Sequence, residues 1–144
     1  MAGRLTTTIN TWALFPLRLA LGAIFFAHGA QKIFGVWGGR GLTAWAEATA
    51  PFPFLQPAWA WMSAAAFAEF FGGLMVMLGF LTRIGALMIA GVMGVALVGV
   101  HWKNGFFLTS GGYEYTLALL AMALTLVIAG GGNGSVDYAK FGGK

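Results

Sequence analysis

The chain has 144 residues, 59% of them hydrophobic and only 8% charged, with a formal net charge of +4. A soluble domain carries about 25% charged residues. The twelve charges present here therefore exclude a soluble enzyme, a disordered tail and a nucleic-acid module, and they point to an integral membrane protein.

A membrane-spanning helix needs roughly 20 mainly apolar residues. Four stretches qualify, in the ranges 12–34, 57–81, 84–100 and 113–129. They predict an all-α, four-span bundle that makes up a single domain, residues 1–144. The first stretch has some features of a signal peptide: Arg4 precedes it, and Ala27-His28-Gly29-Ala30 has the small residues of a cleavage site. Arg18 interrupts its apolar run, so the segment reads as a retained span. The loop 35–56 carries Trp37, Trp45, Phe52 and Phe54 together with Pro51 and Pro53. It is too apolar for a free linker and is expected to fold back onto the bundle at the membrane interface, where Trp is favoured. The second loop, 102–112, holds Asn104-Gly105-Phe106-Phe107 and Ser110-Gly111-Gly112, a pattern of tight turns. The run Gly130-Gly131-Gly132-Asn133-Gly134 stops the last helix. Small residues at helical spacing, Gly22 and Gly29, then Ala65 and Gly73, then Gly91 and Gly94, are expected to mark helix contacts.

Lys and Arg in short loops set orientation. Arg4, Arg18, Arg83, Lys140 and Lys144 fall on one side, and Lys32, Arg40 and Lys103 on the other. The bias predicts both termini in the cytoplasm.

Ionisable groups inside a span are costly unless paired and are functional candidates by default. On span one, about 100° per residue places Arg18, Gly22, Phe25, Gly29 and Lys32 on one stripe, with His28 about 80° to one side. Glu69 lies in the middle of span two. Arg18 is its expected partner, in a buried ion pair that sets helix register; a proton-carrying carboxyl and an unpaired protonated one are the alternatives. The second polar group gathers where spans one and three end and span four begins. His28, Gln31, Lys32, His101, Tyr113 and Glu114 are expected there at similar depth.

Three chemistries suit that cluster. It can be a hydrogen-bonded cap that ties loops to the bundle. It can be a quinone head-group site, with His, Lys, Gln and Tyr as donors, Glu as a proton source and Phe25, Phe26, Phe106 and Phe107 as walls. It can also be a haem b or metal site with His28 and His101 as ligands, although Lys32 repels a cation. No phosphate-binding loop, zinc-type cysteine pattern, serine nucleophile elbow or dinucleotide fingerprint is present. Four acidic residues are too few for a multi-carboxylate di-metal site.

The order Arg18-Leu19-Ala20-Leu21-Gly22, His28-Gly29-Ala30-Gln31-Lys32-Ile33-Phe34-Gly35, Glu69 before Gly72-Gly73, Gly79-Phe80-Leu81-Thr82-Arg83, His101, Asn104-Gly105-Phe106-Phe107, Gly111-Gly112-Tyr113-Glu114-Tyr115 and Ser135-Val136-Asp137 resembles the DoxX family of small membrane proteins. The resemblance runs from about residue 13 to 137. It implies a four-helix protein of the bacterial inner membrane. It also implies a redox association, since the family takes its name from the membrane subunit of a thiosulfate:quinone oxidoreductase, and some relatives accompany thiol-redox and superoxide-handling partners. With no cysteine in the chain, a thiol relay would need a partner protein. The expectation is therefore a membrane subunit that binds a quinone and works with a partner oxidoreductase. The rival is a non-catalytic scaffold that anchors a partner complex through the aromatic loop. A small-molecule permease is a third reading, and four short spans would then need to form a homo-oligomer.

Overall fold

The computed structural model describes residues 2–142, and among them the chain is all helical. Lys144, counted above for orientation, lies outside the described residues. A short arm, α1 (Ala2–Thr6), leads into α2 (Leu14–Phe34). The first loop contains α3 (Leu42–Ala46), and α4 (Ala58–Leu78) and α5 (Thr82–Ala96) follow. The chain closes with α6 (Glu114–Ala129) and α7 (Val136–Phe141). The axis of α5 continues through a π-helical turn, Leu97–His101, and a 3₁₀ turn, Trp102–Asn104.

Three of these helices are long and apolar enough to cross a membrane: Leu14–Phe34, Ala58–Leu78 and Thr82–Asn104, the last including the turns beyond α5. The fourth, α6, is also apolar but has 16 residues. That makes it about 24 Å long against a hydrocarbon core of about 30 Å. The four helices pack in the order α2–α4–α5–α6, with α6 returning to touch α2. The core at their centre contains Leu21, Phe25, Val76, Ile89, Leu119 and Leu126.

The closest helix pair is antiparallel α2 and α4, and glycine is the reason. A Cβ on Gly22 would run into the backbone of Met77, one on Gly29 into that of Phe70, and one on Gly73 into that of Phe26. Lipid leaves little hydrophobic drive between helices, so such backbone approach and van der Waals packing hold them together. The numbers of each facing pair add up to 99, which defines the register of the two helices. Of the expected stripe on α2, Arg18, Gly22, Phe25 and Gly29 are buried, whereas Lys32 is partly exposed. Gly91 and Gly94 depart from expectation. A Cβ at either would meet nothing within 4 Å, so among the described residues no helix packs on α5 at these two positions.

The expected Arg18–Glu69 pair does not form, and the α2–α4 register explains why. Glu69 lies level with residue 30 and Arg18 level with residue 81, about 18 Å apart along the bundle at 1.5 Å per residue. That exceeds the reach of an arginine. Arg18, 1% exposed, instead donates from Nη2 to the Gly134 carbonyl at 2.8 Å and from Nη1 to the Gly131 carbonyl at 3.3 Å. It thereby satisfies the glycine run after α6.

Two more charged residues complete this end of the bundle. The buried Asp137 carboxylate accepts from the backbone N–H groups of Leu81 and Thr82 and from the Thr82 hydroxyl, at 2.9, 2.8 and 2.8 Å. It satisfies the otherwise orphaned donors at the start of α5 from a helix 55 residues away. Arg83 donates to the carbonyls of Thr7 and Val127, so the N-terminal arm and the end of α6 are tied to α5.

Candidate functional site

The opposite end of the bundle contains the charged pair. Lys32, in the last turn of α2, donates to both oxygens of Glu69 on α4, each at 2.5 Å. Glu69 is 3% exposed and Lys32 19%. The α2–α4 register makes this pairing natural, because the counterpart of Glu69 is residue 30, half a turn from Lys32.

Lys32 also has a third neighbour. Its Nζ lies 4.3 Å from the centre of the Trp45 ring, a cation–π contact. Trp45 belongs to α3, the short helix within the first loop, and its Nε1–H donates to the Met62 carbonyl at 2.7 Å. The aromatic loop therefore folds back as expected, and α3 touches both α2 and α4. The ammonium is enclosed by a carboxylate on one side and an indole on the other.

Two hollows meet at this pair. The smaller, about 130 Å³, is a half-open hollow between α2, α4, α5 and α6, and its polar lining is His28, Lys32, Glu69, His101, Tyr115 and Thr116, with His28 and Tyr115 on its exposed side. Ile24, Phe25, Met93, Ala96 and Leu119 complete its walls. The larger, about 740 Å³, runs along α4 and α5 under the folded loop, and its lining is almost wholly apolar: Trp61, Met62, Met88, Gly91 and Val95 among others. Lys32, Glu69, Met93, Ala96 and His101 belong to both. The unpacked positions on α5 thus have a consequence. With no side chain at Gly91, a wide groove stays open beside the polar cavity.

His101 reaches the cavity from the π-helical turn that ends α5; such turns occur frequently at functional sites. Its Nδ1 is 2.9 Å from the Gly111 carbonyl oxygen. The Asn104 amide donates to that same oxygen, so the second loop holds His101 in place. The His28 side chain has no hydrogen-bond partner among the described residues.

Of the six residues expected in the cluster, His28, Lys32 and His101 line the cavity and Gln31, Tyr113 and Glu114 do not. Gln31 donates to the Trp37 carbonyl and Glu114 accepts from the Leu108 N–H, so both brace loops. Tyr113 stacks on Trp102 at 4.9 Å, and Phe106 meets it edge-on at 5.5 Å. Of the expected phenylalanine walls only Phe25 contributes; Phe26 stacks on Phe70, and Phe106 and Phe107 are exposed on the loop. Sequence reasoning missed Glu69 as part of this site, and it missed Trp45, Thr116 and the groove. The facing glycines of α2 and α4 could have revealed the Glu69 register; no local signal marks Trp45.

Two imidazoles and a neutralised ion pair at the mouth of an apolar groove can hydrogen-bond a small polar head while the groove holds an apolar body. Among the described residues no group of three or more His, Cys, Asp or Glu is placed to hold a metal ion.

The sequence profile of the DoxX family matches residues 13–102. A protein of Haemophilus influenzae, described only as uncharacterized, is 31% identical over 126 residues, which cover 87% of this chain and 81% of the relative. No solved structure matches. The matched segment contains α2, α3, α4 and α5, the Lys32–Glu69 pair and both histidines, and on this ground the chain belongs to the DoxX family.

Proposed function

We propose that this DoxX-family membrane protein binds a quinone, or a similar small amphipathic molecule, and serves a partner oxidoreductase as its membrane subunit. The observation that carries this reading is the junction of the two hollows: a polar cavity for a head group opens beside an apolar groove of about 740 Å³, sized for a ligand body. The residues fit such a molecule. His28, Thr116 and Tyr115 offer hydrogen bonds at the ring oxygens, Phe25 and Met93 flank the ring, and the α4–α5 groove takes the tail. The Lys32–Glu69 pair supplies a polar wall without net charge, which suits an uncharged head in a low-dielectric site. When bound, a quinone supplies two-electron redox chemistry that the cysteine-free chain lacks. The protein sits in the bacterial inner membrane with α6 as a fourth span and both termini cytoplasmic.

The test is a titration of the detergent-purified protein with decylubiquinone. Saturable one-to-one binding is expected. Gly91→Leu should abolish it by filling the groove while leaving thermal stability unchanged, because a Cβ there meets nothing. Absence of saturable binding for both ubiquinone and menaquinone analogues overturns the reading. A reduced-minus-oxidised spectrum run beside it separates the haem alternative: a haem band would reassign His28 and His101 as axial ligands.

The exposed aromatic rim of the same end, Trp37, Phe54, Trp102 and Phe107, favours the second reading of a scaffold for a partner complex. Under that reading, replacing Trp37 and Trp102 releases a co-purifying partner and quinone titrations stay flat.

A further inference from the structure

The hydrogen bond from His101 to Gly111 determines which kind of head group the site prefers. A carbonyl oxygen only accepts hydrogen bonds, so the Nδ1 facing the Gly111 oxygen at 2.9 Å must carry the hydrogen. In the neutral imidazole this leaves Nε2 without a hydrogen, and it is an acceptor. The Asn104 amide bonds the same carbonyl and holds it in position. His101 lines both the cavity and the groove, at the point where a head group would sit.

The other two polar groups on that shared wall offer little to an incoming acceptor. Lys32 has both Glu69 oxygens on one side and the Trp45 ring on the other, so its N–H donors are already engaged. The free lone pairs of Glu69 are acceptors as well. His28, Tyr115 and Thr116, elsewhere in the cavity, can donate or accept. The shared wall is therefore polarised toward accepting. An oxidised quinone carbonyl would set its lone pair against that of Nε2, whereas a phenolic hydroxyl would donate into it.

We infer that the site binds the reduced, hydroxyl-bearing member of a quinone couple more tightly than the oxidised one, with His101 Nε2 accepting the hydroxyl hydrogen. The inference rests on the quinone-class reading above and adds to it the redox form that the pocket recognises. It requires no change in covalent bonding.

Three ligands isolate the effect: decylubiquinone, its hydroquinone, and the dimethyl ether of that hydroquinone, which keeps the shape but cannot donate. Each is titrated anaerobically at pH 8, on the alkaline side of ordinary imidazole titration. The hydroquinone should bind about tenfold more tightly than the other two, the margin of about one well-made buried hydrogen bond. His101→Asn is the decisive variant, because its amide can still donate to the Gly111 carbonyl while no acceptor stands at the Nε2 position. It should bind all three ligands alike, because the acceptor that separates them is gone. Equal binding of quinone and hydroquinone by the unaltered protein overturns this inference and leaves the quinone site standing. Discrimination that survives His101→Asn also overturns it, since the acceptor would then lie elsewhere. If none of the three ligands binds, the quinone reading and this inference fail together.

Discussion

At the end of the bundle where α1 meets α7, Arg18, Arg83 and Asp137 are hydrogen-bonded chiefly to backbone: carbonyls after α6, carbonyls of the N-terminal arm and α6, and the first N–H groups of α5. At the other end, Lys32 and Glu69 are bonded to each other. In lipid, an unpaired backbone group costs several kcal/mol. Charged side chains that satisfy helix ends are therefore structural. A side-chain pair satisfies itself, so the space around it can stay open for a ligand. The contrast teaches that burial of a charged residue in a span does not by itself mark a functional site. What matters is whether its bonds go to the backbone it closes or to another side chain beside a cavity.

The comparison can be tested by substitution, and the largest effect should come from the open end. Lys32→Met leaves the Glu69 carboxylate buried without its partner, at a cost of about 3–5 kcal/mol, read as a fall in melting temperature in detergent. Adding Glu69→Leu should recover most of that stability, because an apolar pair of similar volume can replace a buried ion pair, yet ligand binding should not return. A double variant as unstable as the single one would mean the pair holds the fold together, as Arg18 and Asp137 do.

At the closed end, Asp137→Ala deprives two N–H groups and a hydroxyl of their acceptor and should cost about 3 kcal/mol. Arg18→Met leaves the Gly131 and Gly134 carbonyls without their donor, at about 2 kcal/mol. Both variants should bind ligand normally at temperatures where they remain folded; loss of binding by the folded Arg18→Met protein would erase the division between the two ends. The smallest change in stability is expected for His28→Phe. No hydrogen bond is lost there, so the melting temperature should move by less than about 1 kcal/mol equivalent, while binding of a ring oxygen weakens measurably.

Much of this was legible in the chain itself. Hydropathy marked the apolar helices to within a few residues, because length and apolarity are local properties. The stripe Arg18–Gly22–Phe25–Gly29–Lys32 was readable from helical periodicity, and all of it but the partly exposed Lys32 is buried. The partner of Glu69 was not readable, because pairing depends on the register of two helices and a shift of three turns changes which cation is in reach. Gln31, Tyr113 and Glu114 have suitable chemistry and roughly the right depth, but their bonds go to loop backbone and an aromatic stack. Depth along a helix does not reveal direction around it.

The amino-acid sequence by itself determined that this is an apolar helical protein suited to a membrane, with a few charges it must satisfy internally. Hydropathy and the scarcity of charge require no partner contact to act. Only the tertiary structure decided which charge meets which. The approach of α2 to α4 through Gly22, Gly29 and Gly73 sets a register that brings Lys32 to Glu69, sends Arg18 to the glycine run, and leaves His101 and the Gly91 groove at one mouth. The reason is geometric. Side chains reach only a few ångströms, so a bond between distant residues exists only once packing has placed their helices.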